Sequence, residues 1–373
     1  MYLRKLGITK IRNLQNTQLE FNKEKTFFFG ENAQGKTNIL EAIYLLCIAK
    51  SFRTRDDSEL IPFDDKEFLL HGVFSEDVGI THRISMFFTP AKGKKIQLDG
   101  KNVERFSQLI GLIPIVTLTS NDYAITNGPP SNRRKFFDIL LSQSSAKYLI
   151  TLKEYERILK QRNSILASHE QKKPELIKLL SVWNDQLIDK GSEVIKERNR
   201  IVKEVNEHLV NFYQTITKGS NILSVQYQPN IQFQDDSSIE ENFSKSITKI
   251  LNKEIAFGTT LIGPNRDEYV FRINERNVRQ FGSRGEHKSA LLSLKIAEAK
   301  LLLQKTKTQP ILLLDDFYAE LDKERGQNAM SLFSPQSQYF ITGTTFDYEV
   351  INSSLFRDQM AIYFVKNGSV ISQ

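Results

Sequence analysis

Apolar positions alternate with polar ones in short runs near the start of the chain: Leu3, Ile8 and Ile11, then Leu19 and Phe21, then an unbroken run over 27–29. Period-two alternation predicts strands, and the unbroken run predicts one buried on both faces. From Asn38 the period changes, because Ile39, Ile43, Leu46 and Cys47 share one helical stripe that ends near Ser51. A β-rich stretch follows over 68–74, 80–88 and 95–103, the last folding about Asp99-Gly100, a hairpin pair. Residues 113–118 read as a further buried strand. At Asn127-Gly128-Pro129-Pro130 consecutive prolines predict a turn that neither helix nor ladder can cross.

Between 131 and 256 the pattern becomes long, charged and helix-prone, over 131–168, 174–217 and 238–255. Lys172-Lys173-Pro174 separates the first two segments and predicts an antiparallel helical hairpin. Acidic and basic residues nearly balance from 151 to 210, as on a solvated helix surface. A helix of about 40 residues reaches only about 60 Å, so this insertion is a short arm. After Thr260 strand patterns return at 269–273 and 278–281, then a helix over 286–304, strands at 311–314 and 339–341, and a terminal hairpin at Asn367-Gly368. This segmentation predicts a discontinuous head, 1–130 with 257–373, interrupted by a helical arm domain, 131–256.

Composition narrows the class. The 373 residues suit two domains, and no apolar stretch reaches the roughly 18 residues of a spanning helix. Residues 1–7 are not followed by the apolar segment of an export signal, and the single Cys47 cannot form an internal disulfide, so a cytoplasmic location is expected. An excess of 51 basic over 44 acidic residues gives a net charge of +7, which favours a polyanionic partner without identifying one. The histidines, His71, His82, His169, His208 and His287, show no metal-ligand spacing.

The sharpest chemistry lies at Gly30-Glu31-Asn32-Ala33-Gln34-Gly35-Lys36-Thr37, a GxxxxGK[ST] phosphate loop placed between a buried strand and an amphipathic helix. Gly30 and Gly35 let the backbone curl so that N–H groups and the helix's positive end face phosphate. Lys36 reaches the β- and γ-phosphates of ATP, and Thr37 offers its hydroxyl to Mg²⁺. Ile311-Leu312-Leu313-Leu314-Asp315-Asp316 is a buried-strand pattern delivering carboxylates to its end: Asp315 for the metal, Asp316 for the attacking water. Ser283-Arg284-Gly285, just before a helix, offers a second anion site or simply a cap.

In order, an N-terminal phosphate loop, a helical insertion, S-x-G, a double-acid strand and Ala319-Glu320-Leu321-Asp322 resemble the head of ABC and SMC ATPases. More particularly, Gly30 to Asn38, Lys50-Ser51-Phe52-Arg53-Thr54, Gly128-Pro129-Pro130 with Arg133-Arg134-Lys135-Phe136-Phe137-Asp138, and Ile262-Gly263-Pro264-Asn265-Arg266-Asp267 resemble the RecF family of bacterial recombination mediators. The resemblance implies an α/β fold: an ABC/SMC-type P-loop ATPase head of mixed sheets and helices carrying an inserted helical arm. It implies ATP-dependent homodimerisation on DNA, at gaps and at junctions of single and double strands, in which each phosphate loop faces the other protomer's signature serine. It further implies slow DNA-stimulated hydrolysis, and partnership with RecR and RecO in loading RecA during gap repair, fork recovery and SOS induction. The signature departs from the family pattern at Arg284 and at Glu286 or His287, where glutamine is expected, while Ser283 and Gly285 remain.

Smaller candidates surround this framework. Arg12-Asn13 resembles the residues flanking the nucleotide in SMC-like heads, or is a plain surface loop. Arg53 and Arg55 face DNA or nucleotide, or pair with Asp56 and Asp57. Arg133, Arg134 and Lys135, with Lys92, Lys94, Lys95, Lys101 and Arg105, are candidates for a phosphate-binding groove that contacts DNA backbone without base preference. Asn121-Asp122 falls where related heads place a metal-sensing loop, and Thr344-Thr345 at the place of a phosphate-sensing switch.

Overall fold

A computed structural model describes residues 1–23, 25–76, 79–168, 173–317, 323–344 and 360–372. Its contacts divide the chain into two compact units: 1–124, 209–221 and 283–373 in the first, 125–208 and 222–282 in the second.

Among the described residues, two six-stranded sheets build the first unit. One runs in the order Leu14–Glu20, Tyr2–Ile11, Phe68–Ser75, Thr81–Thr89, Gly93–Leu98, Lys101–Asn102, antiparallel throughout. Its strands alternate because one face packs on the core: Ile84, Met86 and Phe88 are buried and the intervening residues are not. In the other sheet, Met360–Lys366, Lys25–Phe29, Tyr339–Gly343, Ile311–Leu314 and Ile115–Leu118 lie parallel in that order, and Ser369–Ser372 closes an edge. Ile311–Leu314 and Ile115–Leu118 are buried along their whole length, the state their continuous apolar sequences require.

The helix Lys36–Ile48 packs against strands of both sheets. Its apolar residues join Leu3, Leu6, Phe28, Leu70, Met86, Leu313 and Phe340 in one core cluster, which also holds Cys47. Parallel strands of one sheet all end on the same side, so the phosphate loop after Phe29, the acids after Leu314 and the end of Tyr339–Gly343 converge there.

The second unit has the antiparallel strands Leu223–Gln228, Glu268–Ile273 and Arg276–Asn277 with the helices Pro130–Ser144, Ala146–Leu166 and Ile239–Phe257. The helix Lys173–Thr217 supplies residues up to His208 to it. The predicted boundaries at 131 and 256 therefore shift. Glu268–Ile273 pairs with Leu223–Gln228 residue by residue, so 257–282 fold with the arm, and the helix end from Leu209 belongs to the first unit. Leu223–Gln228 was outside the predicted elements, although L-S-V-Q-Y-Q alternates plainly. Val278–Phe281 is a short helix, not a strand: Asn277 accepts a hydrogen bond from the Arg279 N–H and caps it. At Pro129-Pro130 the chain does not merely turn. Pro130 opens the helix Pro130–Ser144, where its missing N–H costs no helical bond.

Ala319-Glu320-Leu321-Asp322, Thr345, Lys172 and His169 lie outside the described residues.

Candidate functional site

The phosphate loop has the backbone its glycines allow. Gly30, Ala33 and Gly35 take φ values of 154°, 64° and 116°. A Cβ on Gly30 would meet the Val365 carbonyl at 2.2 Å, and one on Gly35 the Asn13 side chain at 2.8 Å, so close approach as well as conformation demands glycine. Three segments brace the loop. Asn13 Nδ2 donates to the Gln34 carbonyl at 3.0 Å, Asn38 Nδ2 donates to Asn13 Oδ1 at 2.8 Å, and in the terminal hairpin the Asn367 and Gly368 N–H groups donate to Gln34 at 2.6 and 3.0 Å. Glu31, Asn32 and Ala33 are exposed along the loop's rim.

Lys36 is buried and its ammonium donates to the Gly30 and Glu31 carbonyls at 2.6 and 2.8 Å. Burial lowers its pKa, opposed by the charges of Asp316 and Asp315. Thr37 Oγ1 lies 2.9 and 3.0 Å from the two carboxylate oxygens of Asp315. Burial raises the Asp315 carboxyl above its ordinary range, while hydrogen bonds from Thr342 and Thr37 pull it back. Asp316 adopts a φ of 46°, in the left-handed region, and its buried Oδ1 has no hydrogen-bond partner among the described residues. A hydroxyl, a carboxylate and a second acid with an unmatched buried oxygen form a hard-oxygen donor set that suits Mg²⁺ and an activated water.

Ser283 caps the helix Arg284–Thr306 in a capping box with Glu286: its N–H donates to Glu286 Oε2 at 2.7 Å, and its Oγ accepts from the Glu286 N–H at 3.3 Å. Ser283 is exposed at the positive end of a 23-residue helix, with Gly285 in the first turn, where a Cβ would meet Arg325 at 2.8 Å. This geometry makes the cap and leaves Ser283 exposed at the start of the helix.

A family profile described as the RecF/RecN/SMC N terminal domain matches residues 2–370. The DNA replication and repair protein RecF of Lachnoclostridium phytofermentans is 36% identical over 370 residues, covering 99% of each chain. Its counterpart in Streptococcus gordonii is also 36% identical over 370 residues, covering 99% of this chain and 100% of that one. The chain belongs to the RecF family. A solved structure of the recombination mediator protein RecF with ATP, in the RecFOR pathway, superposes with a TM-score of 0.90 at 28% identity over 100% of this chain and 97% of that one. An Smc head domain from Pyrococcus furiosus shares the fold, at a TM-score of 0.57 and 15% identity.

Within this RecF-family site several predicted residues have structural duties. Arg12, in a left-handed turn, grips the fully buried Glu41 with two nitrogens at 2.8 and 3.1 Å and donates to the Glu59 carbonyl at 3.2 Å. Arg53 reaches Asn38 Oδ1 at 2.7 Å and Glu41 at 3.5 Å, not Asp56 or Asp57. Asp56 instead accepts from the Ser58 N–H, and Asp57 pairs with Lys94. Glu41 was missed, although a lone acid in an otherwise apolar helical stripe is its signal. It also accepts from Ser51.

The basic groove loses members. Arg133 is 3% exposed and forms a bidentate pair with Glu268 at 2.7 and 2.9 Å. Arg134 donates to the Asp267 carbonyl at 2.8 Å, and Lys94 pairs with Asp57 and donates to the Ala49 carbonyl. Lys92, Lys95, Lys101 and Arg105 remain exposed. Asp122 closes a capping box with Thr119 and pairs with Lys295 at 3.5 Å. Thr344 is exposed, and it is Thr342 that touches the acids.

Proposed function

We propose that this chain binds ATP with Mg²⁺ on the 30–38 loop and works as an ATP-dependent DNA-binding recombination mediator. Lys36 and the loop N–H groups hold the phosphates, and Thr37 and Asp315 hold the metal. A metal held there would supply neutralisation of phosphate charge. Asp316 orients the attacking water, and Asn38 and Asn13 keep the loop in its curled form. Arg12 acts on the nucleotide through its brace on Glu41. Ser283 and Gly285 meet the γ-phosphate held by a second copy, so that ATP joins two protomers. The dimer forms on DNA at gaps and single-strand/double-strand junctions, acts with RecR and RecO in loading RecA, and dissociates after slow, DNA-stimulated hydrolysis. This is a cytoplasmic activity, in gap repair, fork recovery and SOS induction.

The observation that carries this reading is the pair Thr37 and Asp315, 278 residues apart in sequence yet within 3.0 Å beside a buried lysine in a glycine cradle. Support for the DNA and partner roles comes from the likeness to a RecF solved with ATP and to RecF relatives named for DNA replication and repair. Sedimentation with and without ATP, on duplex, gapped and single-stranded DNA, tests pairing and substrate choice together. A dimer is expected with ATP and DNA, and not for Ser283→Arg. Equal association of the parent and Ser283→Arg with a non-hydrolysable analogue overturns the shared site.

A further inference from the structure

Strand Tyr339–Gly343 runs parallel to Ile311–Leu314 with Ile341 level with Leu314, so the next residue of each strand, Thr342 and Asp315, emerge side by side. Thr342 is 1% exposed. Its hydroxyl donates to Asp315 Oδ1 at 2.7 Å and accepts from the Asp316 backbone N–H at 2.8 Å. A hydroxyl has one proton to give and lone pairs to receive, so a single side chain serves both acids in one relay. The two bonds act on different degrees of freedom. The donated bond fixes the rotation of the Asp315 carboxylate, whose two oxygens face Thr37. The accepted bond fixes the peptide of Asp316, a non-glycine residue whose φ of 46° needs support to persist.

We propose that Thr342 is a positioning residue: its hydroxyl ties the metal-holding acid to the water-orienting acid and keeps Asp316 in the left-handed conformation that aims its side chain. This rests on the ATP-hydrolysing role assigned to the pair above. Among the described residues, the neighbouring hydroxyls of Thr37 and Thr344 do not share the task. Thr37 touches Asp315 from the helix side, and Thr344 is exposed.

Valine keeps the shape of threonine and deletes the hydroxyl, while serine keeps the hydroxyl and deletes the methyl. Thr342→Val and Thr342→Ser in the full chain are compared with the parent by single-turnover ATP hydrolysis on DNA, by affinity for a fluorescent ATP analogue, and by Mn²⁺ titration followed by electron paramagnetic resonance. For Thr342→Val the expected outcome is hydrolysis slowed by about 10-fold or more, with analogue affinity within about threefold, as for a group that acts on the reacting arrangement rather than on binding. The Mn²⁺ concentration at half-saturation is expected to rise, and Thr342→Ser to stay within about twofold of the parent in all three measurements. Hydrolysis by Thr342→Val within twofold of the parent overturns the proposal, and so does a serine variant as slow as the valine one. If thermal melting shows the valine variant unfolded, Thr342→Cys, close in size and with only a weak S–H donor, carries the same comparison. A parent that neither binds nor hydrolyses ATP sinks the nucleotide reading and the proposal with it. An active parent indifferent to the hydroxyl sinks the proposal alone.

Discussion

The phosphate site of the first unit and the arginine cores of the second both gather charge around family-like motifs, yet they treat that charge in opposite ways. In the second unit the buried guanidinium of Arg198 gives Nε and Nη2 to Asp138 at 3.0 and 2.9 Å, and Nη1 to Asp267 at 3.1 Å and the Pro264 carbonyl at 2.7 Å. Asp267 also accepts from the Tyr227 hydroxyl and the Asn230 N–H. Arg162 is equally enclosed by Glu254, Asn184 and Thr260. At the phosphate site, by contrast, Lys36 leans on two carbonyls of its own loop, Asp316 keeps a buried oxygen without a partner among the described residues, and Ser283 stands exposed. Charge matched inside the fold supports the fold. Charge left open has capacity for a ligand.

Removing a matched group tests the first half of that contrast and carries the largest effect. Arg198→Ala strands Asp138 and the fully buried Asp267, whose carboxyl burial already pushes above its ordinary range. A loss of about 3–5 kcal/mol in unfolding free energy is expected from denaturant titration, because an uncompensated buried carboxylate has no good alternative. A loss under about 1 kcal/mol would mean that water replaces the guanidinium and that the core is not sealed.

Removing an open group should do the reverse. Lys36→Ala frees two loop carbonyls that water can satisfy, so unfolding free energy should move by less than about 1 kcal/mol. Nucleotide loses a charge-assisted donor, worth roughly 3 kcal/mol or about 100-fold in affinity, read by titration with an ATP analogue. Unchanged affinity breaks the contrast at its functional end.

The same distinction explains what the sequence could tell. The phosphate loop, the double acid and the capping serine were legible because each is contiguous, and its chemistry depends on backbone form or on a strand end. Arg133 to Asp138 and Ile262 to Asp267 were equally visible as motifs, but their duty was not: Asp138 and Asp267 meet through Arg198, 60 and 69 residues away in sequence. No local pattern encodes such a triad, so a balanced charge distribution read as a solvated surface concealed buried pairs. Glu41 and Thr342 were hidden for a related reason. Each looks like a polar interruption of an apolar run until the parallel register, or the turn at Arg12, brings its partner alongside. The arm boundary was misplaced because pairing between Leu223–Gln228 and Glu268–Ile273 spans a helix, which a linear scan for composition cannot see.

A third cluster lies between these extremes and gives the smallest expected effect. On the helix Arg284–Thr306, Lys295 meets Glu298 at 3.1 Å and Asp122 at 3.5 Å, and both helix side chains are only 4% exposed. Burial pushes the Glu298 carboxyl from its ordinary 4.5 up to about 7, against the pull of Lys295, with Asp122 adding to the rise; the Tyr44 phenol, itself raised by burial, also feels Glu298. A carboxyl whose folded pKa lies above its unfolded one favours the fold when protonated. Its contribution is complete below about 4.5 and fades as pH rises through about 7, a difference of roughly 1–3 kcal/mol. Glu298→Gln holds the neutral form at every pH while Asp122 still partners Lys295. The variant's melting temperature, measured against the parent's, should therefore improve between pH 5 and pH 8 by roughly 2 °C or more. A difference that stays flat, or that falls with pH, shows Glu298 ionised in the fold and places the cluster with the matched cores of the second unit.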